Sequence, residues 1–123
     1  MVWWIMTGGA LGTGARYLVG VWALERFGAG FPYATIIVNL IGCFLLGMVT
    51  HLATVPVGSQ ELRAAVAIGL LGGFTTYSSF NQETLAMLTH GALGPAAMNV
   101  VITLAGGLVA AWLGLAAARQ LVA

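Results

Sequence analysis

Apolar residues fall into four long runs along this chain, separated by short polar, Gly- and Pro-containing stretches. A membrane-spanning helix needs roughly 20 mostly apolar residues, and four segments reach that length: about 2–22, 33–55, 62–87 and 96–118. Between the first two, Glu25-Arg26-Phe27-Gly28-Ala29-Gly30-Phe31-Pro32 combines charge with helix breakers and predicts a loop. Residues 56–61 form the second loop, in which Ser59 is placed to cap the next helix with Glu61 in its first turn. Residues 89–95 form the third, with Pro95 suited to the first turn of the last helix.

The polar residues inside the runs are spaced as helix faces. In the first run Gly8, Gly12 and Arg16 stand four apart, a small-residue stripe that favours close helix approach. Arg16 has either to anchor at the interface or to face a wet vestibule where it would attract anions. In the second run Thr35, Asn39 and Cys43 share a face, with Gly42 and Gly47 allowing close packing nearby. An amide in hydrocarbon needs a partner, so Asn39 reads as an interhelical hydrogen bond or as a pore group. His51 ends the run and reads as interfacial. In the fourth run Asn99, Thr103, Gly106 and Gly107 make a polar or small stripe.

The third run departs furthest from a plain span. At its centre stands Gly72-Gly73-Phe74-Thr75-Thr76-Tyr77-Ser78-Ser79-Phe80. Each glycine weakens a helix by about 1 kcal/mol relative to Ala. A run of hydroxyl-bearing residues follows, from Thr75 to Ser79. Such backbone is tolerated in a membrane only where protein buries it or it lines a wet cavity. The stretch predicts a helix broken at its centre that resumes with Tyr77, Phe80, Glu83 and Thr84 along one stripe. Glu83 itself reads as a residue near the membrane edge.

Composition fixes the class. The chain of 123 residues is 60% hydrophobic and 6% charged, with a mean hydropathy of +1.00. A soluble domain carries about 25% charged residues, so an all-α integral membrane protein, one four-span domain, is expected. The formal charge of +1 predicts no nucleic-acid partner. A single cysteine excludes an intrachain disulfide. The start Met1-Val2-Trp3-Trp4 lacks a basic region and reads as part of a retained span.

Orientation is undecided by charge. Arg63 and Arg119 fall on the side of the termini, Arg16 and Arg26 towards the other. Two against two gives the positive-inside rule nothing to act on, as expected if copies insert both ways. Four packed helices leave no room for a hydrated pore, yet three of the runs carry polar stripes. A homodimer, antiparallel if the copies are oppositely inserted, would give those groups partners.

No nucleophile–base pair, phosphate loop or metal-ligand cluster is present, and His51 and His90 have no acid or cysteine at ligand spacing. The chain is therefore not expected to be an enzyme. The interior offers neutral donors: hydroxyls, amides and backbone N–H groups freed at the break. Such donors suit a small anion that must be dehydrated yet released. Aromatic ring edges carry partial positive charge, and Tyr77 and Phe80 present two edges in sequence, although their spacing also serves packing. Carbonyls freed at the glycine break are natural partners for a cation.

Three ordered motifs carry a resemblance: Gly8-Gly9-Ala10-Leu11-Gly12-Thr13-Gly14-Ala15-Arg16-Tyr17, Tyr33-Ala34-Thr35-Ile36-Ile37-Val38-Asn39-Leu40-Ile41-Gly42-Cys43-Phe44-Leu45-Leu46-Gly47, and Gly69-Leu70-Leu71-Gly72-Gly73-Phe74-Thr75-Thr76-Tyr77-Ser78-Ser79-Phe80. Together they resemble the small fluoride channels called Fluc or CrcB. That resemblance implies passive fluoride export across the cell inner membrane by an antiparallel, dual-topology homodimer with two pores. It implies a structural sodium ion at the dimer centre, on the carbonyls of Gly72 and Thr75. It places the pore asparagine at Asn39, an aromatic box at Tyr77 and Phe80, and a polar track at Asn99 and Thr103. Thr76, Ser78 and Ser79 complete the expected anion path, with Arg16 at its vestibule. Tyr77 departs from the family pattern, where phenylalanine is usual. The alternatives are a small proton-coupled multidrug exporter, which needs an embedded acid that the first run lacks before Glu25, and a non-transporting assembly subunit.

Overall fold

The computed structural model describes residues 1–122. They form α1 (Val2–Phe27), α2 (Tyr33–Leu52), α3 (Gln60–Ala64), a π-helical stretch (Ala65–Leu70), α4 (Leu71–Phe74), α5 (Tyr77–Thr89) and α6 (Leu93–Leu121), with no strand among the described residues. The segments build four helical rods. The third rod is composite: α3, the π stretch and α4 follow one another without leaving helical backbone, since Ala65 and Leu71 at the joins are both right-handed helical. Thr75 and Thr76 then take extended backbone, at φ/ψ −83°/156° and −146°/110°, before α5 begins.

Helix ends follow local chemistry. The Ser59 hydroxyl accepts from the Leu62 amide at 3.1 Å, capping α3 as its sequence position predicts. α1 outruns the expected apolar stretch and carries Glu25 and Arg26 within its last turn. Arg26 there faces the negative end of the helix dipole, and the helix stops only at Gly28, whose φ of 79° suits glycine. The charges thus lie in the helix, and the glycine makes the loop. α2 ends at Leu52, just short of the expected boundary. α6 extends the fourth run at both ends, with Pro95 in its first turn.

Two backbone-to-backbone seams hold the rods together. α1 lies against the π stretch and α4, where a Cβ at Gly12 would overlap the Leu70 carbonyl oxygen. α2 lies along α6, where a Cβ at Gly114 would overlap the Phe44 carbonyl oxygen and one at Gly47 that of Ala111. Glycine at these crossings lets the helix axes approach more closely than side chains allow. The buried core is small, with Ile36, Val38, Leu71, Phe74 and Phe80 as its larger apolar members. Most large apolar side chains instead point outwards, among them Trp3, Leu11, Leu18, Leu104, Leu108 and Trp112. Helices α2 and α6 are long and apolar enough to cross a membrane. An outward apolar surface of this extent belongs in lipid or against another chain.

Candidate functional site

The extended pair Thr75–Thr76 is held from several directions, and two of the contacts redirect amides from the helical ladder. The amide that would close on the Gly72 carbonyl, that of Thr76, donates instead to Asn39 Oδ1 at 2.7 Å. Asn39 Nδ2 donates back to the Thr76 carbonyl at 3.0 Å. One side-chain amide from α2 thus takes both main-chain groups of Thr76. The amide that would serve the Thr75 carbonyl, that of Ser79, donates to Thr76 Oγ1 at 3.2 Å, which caps α5. Arg16, from α1, donates through Nε to the Gly73 carbonyl at 3.0 Å. The carbonyls of Gly72 and Thr75 are left without their i+4 amides, and space beside Gly72 is open.

Two cavities flank this segment. The first, about 430 Å³, is lined by Asn39, Cys43, Thr75, Thr76, Tyr77, Phe80 and Thr103 among apolar neighbours, and none of its lining side chains is charged. The second, about 410 Å³, is lined by Thr13, Arg16, Tyr17, Thr35, Thr76 and Ser79 with apolar neighbours. Thr76 lines both, and with Asn39 clamped to it forms the wall between them.

The remaining expected residues separate into wall and support. Tyr77 is 71% exposed and Phe80 only 5%, with their ring centroids 5.9 Å apart at 50°. Ser78 and Ser79 lie within hydrogen-bonding distance of the Thr76 hydroxyl, at 3.3 Å and 3.0 Å. Thr103 lines the first cavity, and its hydroxyl donates to Asn99 Oδ1 at 3.5 Å. Asn99 is 1% exposed and lines neither cavity; its Nδ2 donates to Thr84 Oγ1 at 2.9 Å. Asn99 therefore binds one hydroxyl on α5 and one a turn along its own helix rather than facing open space.

One pairing escaped the sequence reading. Thr35 Oγ1 donates to Glu83 Oε1 at 2.6 Å, and Glu83 Oε2 is buried without a hydrogen-bond partner. Glu83 lies by the first loop, where it lines a third cavity of about 320 Å³ with residues 28–32. It therefore does sit towards a span end, but bonded across to α2. Thr35 and Asn39 were legible as one face of α2; nothing local to Glu83 pointed to Thr35, 48 residues away.

A family model described as CrcB-like protein, Camphor Resistance (CrcB), matches residues 3–115. The chain belongs to the CrcB family. A relative in Sorangium cellulosum (strain So ce56) is 47% identical over 121 residues, covering 98% of this chain and 95% of its own. One in Anaeromyxobacter sp. (strain K) is 50% identical over 109 residues, 88% of this chain and 86% of its own. One in Agrobacterium fabrum (strain C58) is 40% identical over 118 residues, 95% and 94%. All three relatives bear the name fluoride-specific ion channel FluC.

Proposed function

We propose that this CrcB-family chain is a fluoride-selective ion channel, not an enzyme, which lets fluoride leave the cell passively and so limits its toxicity. The lining of the first cavity carries the reading: hydroxyls, an amide and two aromatic rings meet there with no charged side chain. Neutral donors replace the water around a small anion and still release it, because no fixed opposite charge traps it. Near full-length similarity to relatives named for fluoride conduction supports the same ion here. In this reading Asn39, Thr76, Tyr77, Ser78, Ser79, Phe80 and Thr103 line or support the anion path. Asn99 acts by holding Thr103. Arg16 lines the second cavity and raises the local anion concentration as a vestibule residue.

The working form is an antiparallel, dual-topology homodimer of four-span subunits in the cell inner membrane. Each third rod makes a single crossing broken at its centre. The even split of arginines supports insertion both ways. The outward apolar surface and the open space beside Gly72 support a partner on that side. A structural sodium ion fits the same place. Gly72 and Thr75 would hold it through the main-chain oxygens that lack their i+4 amides. Bound there, sodium would supply a positive charge beside the Gly72 and Thr75 carbonyls.

Efflux from liposomes loaded with fluoride or chloride, followed with ion-selective electrodes, tests the function. Fluoride should leave rapidly and chloride should stay. Equal chloride efflux, or no fluoride efflux from well-folded protein, would refute the channel, and proton-coupled cation uptake would support an exporter instead.

A further inference from the structure

The first half of the third rod ends at Phe74, and its last carbonyls have no further helical turn to take them. Leu71 is served locally, by the Thr75 amide at 3.0 Å and the Thr75 hydroxyl at 2.9 Å. In a continuous helix the Tyr77 amide would serve Gly73. The extended pair Thr75–Thr76 carries Tyr77 into α5 instead, and the Gly73 carbonyl accepts from Arg16 Nε at 3.0 Å.

Arg16 reaches that carbonyl along one face of α1, which also carries Gly9 and Thr13. A Cβ at Gly73 would lie 2.6 Å from the Gly9 carbonyl oxygen and 3.2 Å from Thr13 Oγ1. Gly73 is thus packed on α1 and bonded to it further along the same face. The half-buried guanidinium also brings positive charge to the negative end of the half-rod that runs from Gln60 to Phe74. On the other side of the break, Asn39 of α2 grips Thr76. Thr76, the wall between the two cavities, therefore hangs between a point fixed by α1 and a point fixed by α2.

We propose that Arg16 is a positioning residue of the anion path. Its Nε–H replaces the missing Tyr77 amide, fixes the end of α4 against α1, and so sets where Thr76 stands between the cavities. The proposal rests on the fluoride-channel reading. It is distinct from the vestibule charge, which any cation at this position would supply. Lysine keeps the charge, but its flexible ammonium does not reproduce a planar, directed Nε–H.

Arg16→Lys and Arg16→Gln separate the two roles. Fluoride efflux from liposomes is measured for both over a range of ionic strength, with the size-exclusion elution of each. Positioning predicts that efflux falls in both variants by at least about tenfold, the worth of one charge-assisted hydrogen bond. Added salt leaves that deficit unchanged, and both variants elute as wild type. Near-normal efflux in Arg16→Lys, with a deficit in Arg16→Gln that narrows as salt screens the charge, overturns the proposal and leaves Arg16 a vestibule charge alone. Unchanged efflux in both variants also overturns it. So does loss of folded protein in both, because Arg16 then serves the fold at large rather than the path. Absence of fluoride efflux from wild type removes the channel reading, and this proposal with it.

Discussion

Asn39 shows how a residue legible in sequence acquires its role only from its partner. An asparagine inside an apolar helix predicts a hydrogen bond across helices, and the partner turns out to be main chain: the amide and carbonyl of Thr76. Asn39→Ala strands the Thr76 amide, while the Thr76 carbonyl keeps its place as first acceptor of α5. Leaving a part-buried polar group unsatisfied should lower stability by about 1–3 kcal/mol, read as a lowered thermal midpoint in detergent. A midpoint within a degree of wild type would mean the clamp is dispensable. Arg16 follows the same pattern. Sequence left it between interfacial anchor and vestibule; it lines the second cavity while its Nε is spent on the Gly73 carbonyl. Glu83 was the residue least legible, since its bond to Thr35 joins helices far apart in sequence.

Among the elements, spacing of small residues foretold the close seams but not which glycine meets which carbonyl. Gly114 and Gly14 both lie within long helices, yet their surroundings are opposite. A Cβ at Gly114 overlaps the Phe44 carbonyl, whereas one at Gly14 meets nothing within 4 Å. Gly114→Ala should therefore destabilise by about 1–3 kcal/mol through overpacking. Gly14→Ala should be neutral or gain up to about 1 kcal/mol, because alanine loses less entropy in a helix. Paired unfolding midpoints in detergent decide it; equal effects of the two changes would contradict the seam. The π-helical stretch Ala65–Leu70 had no sequence signal. It lies against α1, with Leu70 facing Gly12 and Ala65 facing Gly8, and hydrogen-bond register of that kind is set by the neighbour rather than by local propensity.

Many large apolar side chains of the molecule face outwards, and in the proposed dimer the Gly72 and Thr75 carbonyls would share a sodium ion. Replacing sodium with N-methylglucamine during purification should weaken or dissociate the dimer and abolish fluoride efflux. Restoring sodium should recover both. In intact cells, an impermeant maleimide should label Ser59→Cys, made with Cys43→Ser, only in part until the membrane is opened. Sodium-independent assembly would refute the carbonyl site, and complete or absent labelling in intact cells would refute dual topology.

The sequence by itself pointed to the membrane class, the helical runs, the cap at Ser59 and an interruption in the third run, although the helix continues through Gly72 and Gly73, where the glycines had suggested the break, and leaves its path only at Thr75. Those follow from composition, periodicity and the backbone preferences of single residues, which act locally. Tertiary structure alone decided what the interruption is attached to. Asn39, Arg16 and Thr76 come from three different rods, and the Asn39 bond that diverts the amide from the Gly72 carbonyl exists only once those rods pack, whereas the Ser79–Thr76 cap beside the Thr75 carbonyl is local. Whether a donor is spent or available depends on distances between helices, which spacing along the chain does not encode.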